Sequence, residues 1–445
     1  MSRSLQPTTV LVLLFAAIVG LGTGLLALPA AQASGQGGGW LVALFTATSA
    51  VCVTGLAVVD TGTHWSPLGL GVILALIQLG GLGLMTAAAL LGMLVNRQLR
   101  FRTRLLLQTE SHALSLGDVR SVAKLVLTVT ATMELAVTLM LAARWHWGYG
   151  MPGPEALWQG LFHAVSAFNN AGFSTWGDSL VRYAGDAWVL GWVMAAIVIG
   201  GLGFPVLHEL LLRRYHRARL SIHAQLTLVG SAVLVVGGAL LFFLIEHDNP
   251  KTLGALPAWD AALGALFLSV SARTAGFNAV DIGALSTEGL LLHYPLMFIG
   301  GGSAGTAGGV KVTTFFLLLL VVWNEVRGRP DVEFAGRRIA SSVQRQALTV
   351  LMLSAAVITL ATLLMVPLVA PLNLRFEAVL FEIISAYATV GLSTGITAQL
   401  PPAGQLLLVA LMFLGRVGVV TLALSLALGH GKRTVRYPEE KPLVG

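Results

Sequence analysis

Apolar residues run along this chain in long blocks, separated by glycine-rich and polar punctuation. A bilayer-spanning helix needs about 20 apolar residues. Such spans are predicted in pairs at 8–30 and 68–95, 122–143 and 187–212, 225–245 and 288–323, and 346–369 and 402–428. Between the members of each pair lies a shorter apolar stretch, at 40–51, 156–168, 258–271 and 376–387. These stretches are too short to cross a membrane and suit half-helices that enter it and turn back.

Each short stretch ends on the same pattern: "SAVCVTGLAV" at 49–58, "SAFNNAGFST" at 166–175, "VSARTAGFNA" at 270–279 and "SAYATVGLST" at 385–394. The copies align on Gly55, Gly172, Gly276 and Gly391, each followed by Leu or Phe. Three copies place Ser-Ala six and five residues before the glycine, whereas the third has Val270-Ser271. A second glycine cluster follows in every unit: "LGGLG" at 79–83, "IGGLG" at 199–203, "IGGGSAG" at 299–305 and "LGRVG" at 414–418. Internal repetition of this kind defines the architecture. The unit is helix, pore half-helix, glycine turn, helix, repeated at 1–96, 97–213, 214–324 and 325–428, with a tail at 429–445.

Composition sharpens this to an all-α integral membrane protein. The 445 residues are 56% hydrophobic and 11% charged, with a mean hydropathy of +0.82, against about 25% charged residues in soluble domains. The single cysteine, Cys52, excludes an internal disulfide framework and a cysteine-based zinc site. The net charge of +7 is a topology signal before it is a nucleic-acid signal, because 20 of the 27 Lys and Arg residues fall at Arg3 and in the segments 97–124, 213–219, 327–345 and 432–441. Positive residues stay on the cytoplasmic side, so both termini and three loops are expected there. The intervening loops carry Asp60, Asp178, Asp186, Asp248, Asp260 and Asp281. At the N-terminus, Ala31-Gln32-Ala33 mimics a signal-peptide cleavage site. The preceding apolar stretch is long enough to span, and its loss would break the repeat, so a retained first helix is expected.

Re-entrant loops leave backbone carbonyls without partners, which a membrane tolerates only where protein or water covers them, as in an ion filter. Four loops about one axis offer a ring of four carbonyls at each level, a substitute for the hydration shell of a cation such as K⁺. A single such glycine reads equally well as a helix-packing residue; four aligned copies do not. Enzyme chemistry has little support. The GxGxxG within 300–305 follows no predicted strand, and Val310 rather than glycine precedes Lys311, so neither a dinucleotide fold nor a Walker A loop is defined. A secondary transporter with broken helices, carrying another cation or small solute, is the alternative. Inverted repeats are usual there, and these units run parallel. Glu134, His208, Glu209, Arg273, Lys311, Glu382 and Arg416 are ionisable residues in membrane regions. Structural hydrogen bonding is the ordinary reading of Glu134, His208, Glu209 and Glu382. Arg273 is expected to brace its loop through carbonyls or Glu382. Arg416 replaces the second glycine of its cluster, about level with Gly302, where a fixed charge raises a barrier to cations.

With "SAFNNAGFS", "RTAGFN", four single-glycine loops, "GGSAGTAGGVK" and an arginine in the last helix, the chain resembles the Trk/Ktr/HKT superfamily of potassium transporters over nearly its whole length. Four units with no extra N-terminal helix pair make it most similar to the Ktr branch. The resemblance implies K⁺ uptake across a bacterial cytoplasmic (inner) membrane, with Na⁺ as a possible activator. It implies a homodimer with one pore per subunit and a cytosolic regulatory ring, so that nucleotide acts only through that partner; neither nucleic acid nor a covalent cofactor is implied. It places the filter at Val53, Thr54, Gly55; Asn170, Ala171, Gly172; Thr274, Ala275, Gly276; and Thr389, Val390, Gly391, with K⁺ held by backbone carbonyls. Serine at the first of these glycines accompanies Na⁺ permeation in the family; glycine in all four favours K⁺. The 300–311 run, Gly300, Gly301, Gly302, Ser303, Ala304, Gly305, Thr306, Ala307, Gly308 and Gly309 up to Lys311, corresponds to an intramembrane gating loop, with Arg416 facing the pore. The span 288–323 is about 54 Å long at ~1.5 Å per residue, against a core of ~30 Å, so a break there is expected. Ser303 and Thr306 are placed to satisfy freed backbone groups, and Lys311 to reach carbonyls or water.

Overall fold

The computed structural model describes residues 7–36, 39–83, 119–216 and 220–418. The expectations for Arg3, for 84–118 and for 419–445, including the tail, lie outside the described residues. Fourteen helices of twelve or more residues carry the described fold, numbered here in chain order. Unit one has α1 (Pro7–Leu26), α2 (Trp40–Val51) and α3 (Pro67–Gly81); unit two has α4 (Val119–Ala143), α5 (Gly153–Phe168), α6 (Ala187–Leu202) and α7 (Phe204–His216). Unit three has α8 (Ile222–Glu246), α9 (Ala258–Ala272), α10 (Thr287–Phe298) and α11 (Val312–Val326); unit four has α12 (Ser341–Val369), α13 (Phe376–Tyr387) and α14 (Pro402–Val417). A short hairpin, Glu333–Phe334 with Arg337–Arg338, lies between α11 and α12.

Repetition governs the packing. In each unit the first helix lies against the short pore helix: α1 on α2, α4 on α5, α8 on α9 and α12 on α13. The helix after the pore loop packs on the next unit's pore helix: α3 on α5, α6 on α9, α10 on α13, and α14 back on α2. That last pairing closes the ring. One phenylalanine anchors each pore helix, Phe45, Phe162, Phe267 and Phe381, and all four are fully buried. Three stand ten residues before the unit's key glycine and Phe267 nine before it, so unit three is one residue shorter between anchor and turn.

The helices that descend after the pore loops start from defined caps. The Ser66 hydroxyl accepts from the Gly69 N–H, Asp186 from Trp188 and Val189, and Ser286 from Gly289, satisfying N–H groups that a helix start leaves open. Among the described residues three helices are long and apolar enough to cross a membrane, or four if the bent pair α6 and α7 counts as one. Leu240 and Leu363 are among the many exposed large apolar side chains, as a lipid-facing surface requires. Exposed Trp40, Trp259 and Phe376 stand at the starts of three pore helices, consistent with an aromatic belt at one interface.

One expectation changes. The span 187–212 is not one helix: it breaks at Gly203 (φ +91°), and α7 leaves at 98° to α6. Gly203 supplies the left-handed turn, and Pro205 suits a new helix start but not a helix interior. The long third-unit span breaks as its length demands, ending at Phe298 and resuming at Val312.

Candidate functional site

Each pore helix hands the chain to its turn through the same hydrogen bonds. The N–H of the residue before the glycine donates back to a serine carbonyl, five residues earlier in three units and four in unit three: Thr54 to Ser49 at 2.8 Å, Ala171 to Ser166 at 2.7 Å, Ala275 to Ser271 at 3.0 Å and Val390 to Ser385 at 2.8 Å. The backbone then alternates in hand. Val53, Asn170, Thr274 and Thr389 have φ of +56°, +58°, +65° and +50°, and the glycines two residues on have +93°, +67°, +77° and +93°. Alternation between left- and right-handed residues turns successive carbonyls to the same side. For β-branched Val53, Thr274 and Thr389 the left-handed region is strained, by about 1–3 kcal/mol each. The surroundings must therefore impose it. No carbonyl of the twelve candidate filter residues accepts a hydrogen bond among the described residues.

The four turns meet. A Cβ built on Gly55 would fall on the Ala171 carbonyl oxygen, one on Gly172 would lie 2.8 Å from that of Ala275, one on Gly276 2.6 Å from that of Val390, and one on Gly391 would fall on that of Thr54. The contacts run in one rotational sense through all four units and return to the first. Glycine here is required twice, by the positive φ and by the neighbouring loop's oxygen. The ring thus joins residues more than a hundred positions apart at one level.

Side chains set the turns. The Ser385 hydroxyl donates to the Leu392 carbonyl at 2.6 Å and accepts from the Gly391 N–H at 3.1 Å. Ser166 donates to Phe173 at 2.8 Å, Ser271 donates to Phe277, and Ser49 accepts from the Gly55 N–H at 3.0 Å. The sequence reading noted these serines without giving them a role; their recurrence six residues before the glycine in three units, and five before it in unit three, was the available signal. Replacing fully buried Ser385 with alanine strands one donor and one acceptor, a loss of about 1–3 kcal/mol. Ser385→Ala is therefore expected to lower the thermal stability of the purified protein and its K⁺-over-Na⁺ flux ratio together. Unchanged values of both would show that the hydroxyl does not hold the turn.

Directly beneath this ring lies the 300–311 loop. Gly302 N–H donates to Gly201 O at 2.8 Å and Thr306 N–H to Gly200 O at 3.2 Å, while Phe204 N–H donates to Ala304 O at 3.3 Å. The Thr306 hydroxyl reaches Phe168 O at 3.2 Å and Asn170 Oδ1 at 3.1 Å, and Gly308 N–H donates to Thr274 Oγ1 at 3.3 Å. A Cβ on Gly308 would fall on Thr389 Oγ1. The loop is thus seated against the base of three turns, and a β-carbon at Gly300 would strike Gly308 O within the loop itself. At the equivalent glycines of the other units, Gly80, Gly200 and Gly415, the same position is occupied by the last carbonyl of the unit's own pore helix, at Val51, Phe168 and Tyr387. The Lys311 ammonium donates to Ala307 O at 2.6 Å, four residues back. Ser303 pairs with the Thr313 hydroxyl at 3.2 Å rather than with freed backbone.

Arg416 joins this loop to unit one. Its Nη1 donates to Thr306 O at 2.6 Å and its Nη2 to Gly80 O. By cluster alignment Arg416 matches Gly301, not Gly302, and its side chain spans to Thr306. Arg273 lies at the short junction of unit three, 9% exposed, and donates to Ser231 O (3.3 Å), Ser231 Oγ (3.2 Å) and Gly300 O (3.0 Å). Of the two expectations for it, carbonyls are realised and Glu382 is not. Glu382 instead ties the outer loop of unit four, accepting from Ser393 Oγ (2.5 Å), Thr394 N–H (3.0 Å) and Thr397 Oγ1 (2.9 Å). Glu134 accepts from Gln78 Nε2 and Asn169 Nδ2 at the foot of α5, and Glu209 caps Ser221. At the outer mouth Asp178 pairs with Arg182 at 2.7 Å, and that hydrogen bond holds its carboxyl below the usual range.

The closed ring of pore helices, the four convergent turns and the apolar exterior define a multi-pass membrane transport protein, not an enzyme. The chain belongs to the TrkH family of cation transport proteins, whose profile matches residues 6–434. It is 38% identical over 407 residues to the Ktr system potassium uptake protein B of Bacillus subtilis, covering 91% of this chain and 90% of that protein. It is 34% identical over 454 residues to the potassium/sodium uptake protein NtpJ of Enterococcus hirae, covering 100% of this chain and 98% of that protein. The crystal structure of the potassium transporter TrkH from Vibrio parahaemolyticus superposes with a TM-score of 0.75 at 18% identity, over 96% of this chain and 86% of that one, a likeness of fold.

Proposed function

We propose that this chain takes up K⁺ through the axis of its four units, with the carbonyls of the twelve turn residues as the selectivity filter. The observation that carries the reading is the ring of glycine-to-carbonyl contacts, together with carbonyls that no group among the described residues satisfies. Rings of carbonyl oxygens replace the hydration shell of a large monovalent cation. The names of the relatives, potassium uptake and potassium/sodium uptake, point to the same substrate class, with Na⁺ as a second cation. The 300–311 loop and Arg416 act as the barrier beneath the filter. Three relatives are named as parts of a Ktr system, which supports control by a separate cytosolic subunit; the reading adds a nucleotide-binding ring, a homodimer, cytoplasmic termini and a bacterial inner membrane.

The test is flux from purified protein in liposomes. Rubidium and K⁺ uptake exceeding Na⁺ uptake is the expected result. Transport of an organic solute without rubidium uptake would replace the filter reading with that of a broken-helix carrier.

A further inference from the structure

A cavity of about 240 Å³ lies between α6 of unit two and α8 of unit three, beside the base of the turns. Its inner end is formed by Asn170, Ser231, Arg273 and Gly301, and its walls by apolar residues of α6 and α8 with Val270 of α9. Two of its lining residues, Val198 and Ala232, are exposed on the outside of the helix bundle. The cavity therefore opens sideways, through the lipid-facing surface. Gly201, which also lines it, is the fifteenth residue of α6, so the site lies roughly 21 Å along that helix at ~1.5 Å per residue. That depth is inside the ~30 Å hydrocarbon core.

Two donors at the inner end have no partner. Asn170 Nδ2 and Arg273 Nε are buried and make no hydrogen bond among the described residues. The other nitrogens of Arg273 reach only uncharged oxygens, two carbonyls and a hydroxyl, and no carboxylate pairs with it among the described residues. An unpaired guanidinium inside a membrane is costly. Its natural complement is an anion able to take hydrogen bonds from a planar fork. The way in is through lipid, at a depth where a two-chain phospholipid does not bring its phosphate. Apolar walls, a lateral mouth and a cationic end together select an amphipathic anion with one chain.

We propose that this cavity binds the carboxylate of a long-chain free fatty acid, with Arg273 and Asn170 holding the head and the chain leaving between Val198 and Ala232 into the bilayer. The same two side chains hold the 300–311 loop, Arg273 through Gly300 O and Asn170 through the Thr306 hydroxyl. Occupancy of the free Arg273 Nε and Asn170 Nδ2 therefore pins the two side chains that seat the loop and slows its release. This consequence for flux rests on the uptake reading; the binding itself does not.

Photoreactive palmitate on the full-length protein in nanodiscs tests the site. Saturable labelling of α6 and α8 peptides is expected, displaced by unlabelled palmitate and about tenfold more weakly by hexadecanol, which lacks the charge-assisted bonds. Ala232→Trp, on the lipid-facing surface, is expected to abolish labelling in folded protein. Arg273→Gln is expected to weaken palmitate and leave hexadecanol unchanged. Equal competition by hexadecanol, full labelling of Ala232→Trp, or labelling that does not saturate would each overturn the site, the last marking a cavity that holds water only. Labelling is read without any flux, so failure of the uptake reading leaves this result standing.

Discussion

Gly276→Ser is expected to lower the K⁺-over-Na⁺ flux ratio by about tenfold or more, equivalent to about 1.4 kcal/mol of discrimination. The added Cβ would stand 2.6 Å from the Val390 carbonyl oxygen and 3.0 Å from the Gly172 α-carbon, on a residue whose φ is +77°. No rotamer relieves this, because the obstruction is backbone on the adjacent turns. Loops three and four must separate or rotate, and the Val390 oxygen loses its aim. A ring widened on one side holds a bare K⁺ less closely and gives a hydrated Na⁺ more room. The measurement is paired K⁺ and Na⁺ uptake into liposomes, with expression and folding matched by size-exclusion chromatography. An unaltered ratio in folded protein would remove these turns from the discrimination step.

Deleting residues 303–308 is expected to raise rubidium uptake by about tenfold, a barrier change of about 1.4 kcal/mol. The deleted segment contributes the Thr306 bonds to Gly200 and Asn170, the Gly308 bond to Thr274, and the Thr306 carbonyl that Arg416 holds. Its removal takes protein from directly below the ring and frees one arm of Arg416. Arg416→Ser is expected to raise flux by less, because it cuts the ties to Thr306 and Gly80 and removes a positive charge while the loop remains. Lower flux from both variants, at equal amounts of folded protein, would assign the loop a purely structural part.

The elements that repeat were legible in the sequence. The pore helices at 40–51 and 376–387 fall where their apolar lengths and following glycines put them. Fourfold repetition does this, because each copy removes ambiguity from the others. Local chemistry also spoke at Gly203-Phe204-Pro205, a stop followed by a start, but the apolar run continuing past it concealed the 98° turn. What the sequence did not disclose are the partners across units. Arg416 meets Gly80 across 336 positions, and Thr306 meets Asn170 across 136. Such pairings depend on how helices close around an axis, and no spacing along the chain encodes them. Glu382 shows the same limit: a buried carboxylate needs donors, yet the hydroxyls that serve it, Ser393 and Thr397, were as plausible a choice as Arg273.

The four walls of the ring are encoded by one chain, and this has an evolutionary consequence. In a channel assembled from identical subunits, one codon change alters every wall at once, and intermediate affinities are skipped. Here Val53 and Asn170 already differ from Thr274 and Thr389 at the same level. On the proposed filter reading, each quarter of the ring can drift on its own, and preference among monovalent ions can be adjusted in quarter steps. The arginine at 416, the enlarged loop of unit three and its one-residue shortening are departures that strict symmetry would have forbidden.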